Sequence, residues 1–314
     1  MGCMLMGCSQ QSDKKTIKLG HGLDTSHPVH KGIEYMARLV NERTNGELSI
    51  EIYPSQQLGT ERELLELLQI GSVGITKVGA STLENFAPSY QVFNIPFIFK
   101  SDEHRFRVLD SEIGKQILLD GQDYWLRGLC YYDAGSRSFY TTEKRIEKPE
   151  DLNGLKIRVM ESKSAMEMVS TLGGSPTPLA WGELYTALQQ GLVDGAENNA
   201  PSFYSSRHYE VSKYYTINKH TANPDVLVIS THVWNSLSEL HQAILQQAAL
   251  ESAEYQKKLW AIASEEALAA VIEAGVQVIY PDKSLFESKV APLYQKYGMD
   301  KRIGPLLKAI QEMD

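Results

Sequence analysis

The chain has 314 residues, 42% of them hydrophobic and 22% charged, and this length suggests about two domains. The hydrophobic content excludes wholesale disorder, and no apolar run reaches the roughly 18 residues of a membrane-spanning helix. The formal charge of −8, with acids and bases interspersed, argues against a nucleic-acid partner, since a general nucleic-acid binder carries a basic face. Three cysteines are too few for a disulfide framework.

Residues 1–15 form a distinct N-terminal segment, and its LMGC motif, which ends at Cys8, is similar to the lipobox of bacterial lipoproteins. The resemblance implies that Cys8 is a lipid anchor and that the polar residues after it form a short tether. A full signal peptide needs a basic region and a longer apolar stretch, and only seven residues precede Cys8. The alternative is a frayed terminus with incidental cysteines. Cys130, in an apolar run, is expected to be a buried thiol.

The first part of the chain alternates strands and helices. Residues 16–20 predict a strand, and a helix begins at Pro28 with Ser26 or His27 as its cap. A second strand follows an Asn-Gly pair, residues 61–70 predict another helix, and Gly71 turns the chain into a third strand. This βαβαβ order predicts a largely parallel sheet with right-handed crossovers.

Two features predict a pair of lobes. The pattern LQxGxV begins at Leu68 and again at Leu188, which indicates similar helix–glycine–strand units. Residues 232–274 lack glycine and proline, and from about 237 to 273 they predict a helix of about 55 Å. A small domain is only about 30 Å across, so this helix must run along both lobes. The alternative is two helices with a break near Glu251.

Signatures of catalysis are absent from the sequence, which has no GxSxG, no HExxH and no P-loop motif. His27 and His30 could place two imidazoles on one helix face for a metal. No carboxylate or cysteine cluster accompanies them, which favours helix capping or pocket lining. The acidic pair Glu61 and Glu63 is typical of a solvated helix face. We therefore expect no catalytic residue, no metal site and no cofactor.

An arginine interrupts an apolar strand in the segment LKIRV. Arg158 lies between Ile157 and Val159, so in a strand with period two it points away from both. An arginine in such a strand is costly unless it meets an anion, and its planar fork suits a carboxylate. The alternative partner is a carboxylate of the protein itself.

Other polar and aromatic groups stand at strand ends and in loops. Arg137 follows the apolar strand LRGLCYY. Trp181 lies in a loop before a helix, where it could be a lid, a core residue or a stacking platform. Asn198 follows Val193 at a strand end, where open α/β sheets usually bind ligands.

Five blocks of sequence carry a family resemblance. They are HPVHKG, IYPSQQLGTERELLELLQIG, FNIPFIF, PEDLNGLKIRVMES and PTPLAWGELYTALQQGLVDGAENN. With them the chain, from residue 16 onward, resembles the substrate-binding proteins of TRAP (tripartite ATP-independent periplasmic) transporters, of the dicarboxylate-type family. The resemblance implies an α/β, two-lobed periplasmic binding protein fold, with a cleft between the lobes and a long helix bridging both. The implied lobes are discontinuous, 16–134 plus 225–262 and 135–224 plus 263–314.

The resemblance also implies a ligand site. Arg158 would bind the ligand carboxylate with help from Arg137, Asn198 would contact the ligand, and Trp181 would form a wall. The sequence around Trp181 resembles that of members that bind hexuronates such as glucuronate and galacturonate. The expected partners of the uronate hydroxyls are Asn198, Asn223, Ser81, His27 and Asp225. A C4-dicarboxylate would need a second cationic side chain for its second carboxylate, which Arg137 could supply.

We therefore expect a periplasmic or otherwise extracytoplasmic binding protein that delivers an organic acid to a TRAP membrane permease. The lipobox resemblance implies that a lipid on Cys8 holds it at the membrane. The alternative ligands are other sugar acids, keto-acids and C4-dicarboxylates. A uronate lyase or isomerase using His27, His30 or Asp225 is an alternative from another class. A third interpretation is an ABC-type binding protein for the same solutes.

Overall fold

The computed structural model describes residues 14–313, so the lipobox-like segment with Cys3 and Cys8 lies outside the described residues. The strands are β1 (Lys15–Gly20), β2 (Leu48–Tyr53), β3 (Ile75–Gly79), β4 (Leu126–Tyr132), β5 (Arg137–Thr141), β6 (Lys156–Val159), β7 (Ser175–Pro178), β8 (Gly195–Asn198), β9 (Tyr214–Thr221), β10 (Asp225–Ser230) and β11 (Gln277–Ile279). The α-helices are α1 (Pro28–Arg43), α2 (Glu61–Gln69), α3 (Ala80–Leu83), α4 (Asp102–Asp110), α5 (Glu112–Asp120), α6 (Lys163–Leu172), α7 (Leu184–Gln189), α8 (Ala200–Ser205), α9 (Thr231–Asn235), α10 (Glu239–Glu273), α11 (Lys283–Gly298) and α12 (Ile303–Gln311).

The strands form two sheets, one per lobe. The five-stranded sheet has the order β2-β1-β3-β10-β4, and the six-stranded sheet has the order β11-β9-β5-β8-β6-β7. Each sheet therefore draws strands from discontinuous parts of the chain. The lobe limits given above separate the strands of one sheet from those of the other, and we keep those limits as a proposal.

The sheets are largely parallel, as predicted, but each contains one strand that runs against both of its neighbours. In the first sheet β10 is antiparallel to β3 and β4, and in the second β5 is antiparallel to β8 and β9. Both strands begin where the chain has just crossed from the other lobe. Asp225 opens β10 beside Gly79, the last residue of β3, and Arg137 opens β5 beside the end of β9. These strands enter their sheets at the cleft edge, so their direction is reversed.

The repeated pattern has the same backbone geometry in both lobes. Gly71 has a φ of 74° and Gly191 a φ of 68°, in the left-handed region that favours glycine. In both units the amide of the next residue donates to a carbonyl in the preceding helix at 2.9 Å. Each glycine thus ends a helix, α2 or α7, and turns the chain toward the next strand.

The long helix α10 is unbroken over 35 residues, or about 52 Å. It packs against α1 and β4 of the first lobe and against α8 of the second, so it bridges both lobes as predicted, without a break at Glu251. Its buried Ser252 accepts a hydrogen bond from the Tyr132 hydroxyl at 2.7 Å, and Gln256 bonds both backbone groups of Asp133. Within residues 14–313, no helix is both long and apolar enough to cross a membrane.

Cys130 is a buried thiol, as the sequence predicts. It lies in β4 and donates to the Ala249 carbonyl of α10 at 3.3 Å. Burial raises the pKa of the Cys130 thiol far above its usual value, because the thiolate would lose its hydration. This cysteine therefore serves packing between β4 and α10.

The contact between α1 and α10 depends on Gly32. A Cβ at this position would lie 2.8 Å from the Gln256 Cβ and 3.0 Å from a ring carbon of Tyr132. We expect Gly32→Ala to lower the free energy of unfolding by about 1–3 kcal/mol, because the two helices must separate. The control is Gly298→Ala, at an exposed helix position with open space around it, which should be neutral or slightly stabilising. Urea unfolding of both variants measures this, and equal stabilities would contradict it.

Candidate ligand-binding site

The cleft between the two lobes holds a cavity at the cleft-facing strand ends of both sheets. From the first lobe it is lined by Gly22, Leu23, Thr60, Glu61, Lys77, Thr82 and Asp225, and from α10 by Trp260. From the second lobe and the segments that connect it to the first it is lined by Ala134, Arg137, Arg158, Met160, Glu161, Leu179, Ala180, Trp181, Asn198, Asn199, Ser202 and Asn223. A ligand in this cavity would touch both lobes.

Arg158 faces the cavity from β6, while Ile157 and Val159 are fully buried in the apolar core on the other face. Its Nε and Nη2 donate to the Leu179 carbonyl at 2.9 and 2.7 Å, whereas its buried Nη1 has no partner among residues 14–313. The predicted alternative, an ion pair with a protein carboxylate, does not occur among these residues. Burial lowers the pKa of the guanidinium, although it remains a strong base. Arg158 is therefore a buried cation whose counter-charge must come from elsewhere.

Arg137, in contrast, is neutralised inside the protein. Its Nε and Nη2 both donate to the Glu197 carboxylate, the latter at 2.8 Å, and the His220 ring lies 3.5 Å from the same carboxylate. Burial alone would raise the pKa of Glu197, but Arg137 and then His220 outweigh it and hold that pKa at about 2. Arg137 thus carries no free charge for a ligand.

Asn198 is oriented by Arg137. Its Oδ1 accepts from the Arg137 Nη1 at 2.9 Å and from the Asn199 amide at 2.9 Å. An arginine only donates, so the amide oxygen must face it and the amide nitrogen is directed elsewhere. The Nδ2 of Asn198 has no partner in the described part of the chain. Asn198 can therefore donate to a ligand.

Trp181 forms a wall of the cavity beside Arg158. The Arg158 Cζ lies 5.9 Å from the centre of the indole, and the ring of His208 packs on the indole at 5.0 Å. Burial lowers the pKa of His208 to about 3, followed in effect by the charge of Arg158, so this imidazole is neutral at physiological pH. The arrangement places a flat apolar surface next to the guanidinium.

The opposite wall contains a charge cluster of Lys77, Glu61 and Asp225. The Lys77 Nζ lies 3.1 Å from Glu61 and 3.2 Å from Asp225. Burial alone would lower the pKa of Lys77, but the two carboxylates outweigh it and raise that pKa. The sequence interpretation included Asp225 but missed Lys77, although this lysine interrupts an apolar strand as Arg158 does. The prediction that Glu61 lies on a solvated helix face is wrong. Of the pair Glu61 and Glu63, only Glu63 turns outward, where it caps α2.

Two predicted site residues do not line the cavity. His27 is the N-cap of α1, as one interpretation of the sequence held; its Nδ1 accepts from the Val29 amide and its Nε2 lies 3.2 Å from the Ser202 hydroxyl. The Ser81 hydroxyl donates to Asn94 at 2.9 Å. Both side chains are buried and already bonded within the protein, so their contacts with a ligand stay predictions that this geometry does not favour.

The remaining predicted residues come together. The other six, Arg137, Arg158, Trp181, Asn198, Asn223 and Asp225, all line the cavity. The sequence interpretation also missed Trp260. It is the single tryptophan of a helix long enough to cross the cleft, and this position could have indicated a cavity-lining residue. Among the described residues, no group of three or more His, Cys, Asp and Glu side chains could hold a metal ion.

Two α/β lobes, a shared bridging helix and a polar cleft with an uncompensated arginine define a two-lobed solute-binding protein. Residues 19–300 match the model of the bacterial extracellular solute-binding proteins, family 7, and the chain belongs to this family. It is a solute-binding protein of the TRAP transporter class, whose members work with membrane permease components.

Solved structures of this class are similar over nearly the whole chain. A TRAP solute-binding protein from Bradyrhizobium, in complex with α/β-D-galacturonate, is 38% identical with a TM-score of 0.93, covering 95% of this chain and 100% of that one. One from Anaerococcus prevotii, with α/β-D-glucuronate, is 36% identical with a TM-score of 0.93, covering 96% and 98%. The C4-dicarboxylate-binding protein DctP of Rhodobacter capsulatus is 30% identical over 296 residues, 92% of this chain and 87% of that protein.

The buried pair of Arg137 and Glu197 should dominate the loss of stability of the second lobe at acid pH. We expect Glu197→Gln to lower the free energy of unfolding by about 3–5 kcal/mol at neutral pH, because it leaves a buried guanidinium unpaired. The folded-state pKa of Glu197 lies below its unfolded value of 4.5. The carboxylate therefore stabilises the fold above pH 4.5, and this contribution is lost as the pH falls toward about 2.

Urea unfolding between pH 7 and pH 3 measures both effects, and the difference between wild type and variant should shrink as the pH falls. Glu143→Gln, which breaks an exposed ion pair with Lys213, is the matched control and should cost less than about 1 kcal/mol. Equal losses in the two variants would contradict the assignment.

Proposed function

We propose that the protein binds a hexuronate, such as D-glucuronate or D-galacturonate, in the cleft and delivers it to a TRAP permease. The observation that carries this proposal is the buried Arg158 Nη1, which has no partner in the described chain and lies beside Trp181. A ligand carboxylate would supply both the missing hydrogen bond and the missing negative charge. Such charge-assisted bonds are roughly twice as strong as neutral ones.

The groups around Arg158 suit a ring with hydroxyls. Trp181 offers a flat apolar face, and the Asn198 Nδ2 offers a donor. The side chain of Asn223 is buried against the cavity and bonds to no other described residue. A site built to bond hydroxyl groups discriminates strongly against ligands that lack them, because its polar groups are then left unpaired.

A C4-dicarboxylate fits this site less well. The second cation that it would want is not free, since Arg137 is neutralised by Glu197 and Lys77 is paired with two carboxylates. A sugar acid with one carboxylate matches the one uncompensated arginine. The galacturonate and glucuronate complexes of the similar proteins support the same ligand class.

We further propose that the ligand is bound without being converted. The family and the similar structures are substrate-binding proteins. His27, one of the three acid–base candidates with His30 and Asp225, has both ring nitrogens engaged, and burial, followed by the charge of Lys77, lowers its pKa to about 3. A general acid or base needs access to its substrate and a pKa near the working pH.

A thermal-shift titration tests the ligand. We expect D-glucuronate or D-galacturonate to raise the Tm, because a ligand at 100 times its Kd stabilises the folded state by about 2.7 kcal/mol. Arg158→Ala should weaken binding by at least about 30-fold, while Arg62→Ala, at an exposed ion pair on α2, should not. Proton NMR of the same mixture should show unchanged uronate. Absence of a shift with every sugar acid, or turnover of the uronate, would contradict the proposal.

We propose that the protein works outside the cytoplasm and that Cys8 carries the lipid anchor. The support is the LMGC motif and the polar segment that follows it. Expressed in bacterial cells from its own gene, the wild type should fractionate with membranes, and Cys8→Ala should be released into the soluble extract. Cys3→Ala is the control and should stay with the membranes. A wild-type protein found only in the soluble extract would overturn the anchor.

A further inference from the structure

The wall of the cleft that faces Arg158 carries an excess of negative charge. Lys77 is one ammonium between two carboxylates, and the side chains of Lys77, Glu61 and Asp225 are only 5%, 17% and 13% exposed. With all three groups ionised, the cluster has a net charge of −1. Buried charges are weakly screened by salt, so a ligand in the cavity experiences this charge strongly.

The two carboxylates of the cluster differ in their free oxygens. Glu61 Oε1 accepts from Lys77 and from the Gly79 amide at 3.3 Å, and its Oε2 accepts from the Thr82 hydroxyl at 2.9 Å. Asp225 uses only Oδ1, for Lys77 at 3.2 Å, and no donor in residues 14–313 bonds to its Oδ2. Both oxygens of Glu61 therefore already accept hydrogen bonds within the protein, while Asp225 keeps one oxygen without a donor.

The chemistry of that acceptor separates two classes of sugar acid. A hydroxyl group can donate a hydrogen bond to the Asp225 Oδ2. An ionised carboxylate has no proton to donate and is repelled by the cluster. A uronate has a carboxylate at one end and a hydroxyl or carbonyl at the other, whereas an aldarate has carboxylates at both ends. Arg158 and Asp225 line the same cavity from different lobes, so a ligand whose carboxylate is held by Arg158 would present its far end to Asp225.

We propose that Asp225, held by Lys77 and supported by Glu61, is the determinant that admits sugar monoacids to this cleft and rejects the diacids of the same carbon skeleton. This inference rests on the proposed function, since it assumes that Arg158 binds the ligand carboxylate. Selectivity of this kind combines an attractive contact with the right ligand and a repulsive contact with the wrong one. Arg137 does not relieve the repulsion, because Glu197 neutralises it.

Isothermal titration of the full chain with D-glucuronate, D-gluconate and D-glucarate tests the inference. D-gluconate is an open-chain monoacid, so it separates the effect of charge from the effect of the ring. The wild type should bind D-glucuronate at least about 100-fold more tightly than D-glucarate, since like charges brought together cost several kcal/mol. In Asp225→Asn, the ratio of D-glucuronate affinity to D-glucarate affinity should fall to about tenfold or less. The ratio of D-gluconate affinity to D-glucarate affinity should also be far smaller in this variant than in the wild type.

A second variant and a control test whether an effect of Asp225→Asn comes from the lost charge or from a perturbed fold. Glu61→Gln removes one charge without touching the free oxygen of Asp225, so it should also narrow the ratio of D-glucuronate affinity to D-glucarate affinity, here by the loss of charge alone. Glu66→Gln makes the same change on an exposed face of α2 and should alter neither value. The Tm of each variant shows that it is folded.

The outcomes separate the two levels of the proposal. Equal binding of D-glucuronate and D-glucarate by the wild type would overturn the inference. So would an unchanged ratio in both folded cluster variants that still bind D-glucuronate. If the wild type binds no sugar acid at all, the proposed function fails and the inference fails with it.

Discussion

The structure of the cleft depends on how two buried arginines are compensated. Arg137 and Arg158 both lie in the six-stranded sheet, in strands that flank β8. Glu197 in β8 neutralises Arg137 completely, and no carboxylate of the described chain neutralises Arg158. An isolated buried charge is expensive. Arg158 carries that cost, and an anionic ligand is what would remove it.

The second constraint is the way the chain crosses between the lobes. It leaves the first lobe after β4, returns before β10, and is tied across the cleft a third time by α10. The strands that follow these crossings, β5 and β10, enter their sheets at the cleft. Their first residues, Arg137 and Asp225, therefore lie at the cavity. A ligand held by groups from both lobes would couple them, which is the arrangement that hinge closure around a ligand requires.

Part of the site could be predicted because its signals are local. Arg158 is recognisable since a period of two places it opposite Ile157 and Val159, and Asn198 is recognisable since it ends a strand. The same reasoning applies to Lys77 in β3, whose five residues are all buried. Glu61 could not be recognised in this way, because acidic residues in a first helical turn usually face solvent and only packing shows which one turns inward.

The sequence by itself determined the repeated helix–glycine–strand units, the long helical segment after residue 237 and the direction in which Arg158 points. These depend on local rules, namely periodicity, the freedom of glycine at positive φ and helix length, so neighbours along the chain are sufficient. Only the tertiary structure decided which arginine is neutralised, which strand of each sheet is reversed, and that His27 and Ser81 bond within the protein. Those outcomes depend on charges and donors that are far apart in sequence, such as Arg137 with Glu197 and Lys77 with Asp225. Their energies arise only when folding brings them into contact away from water.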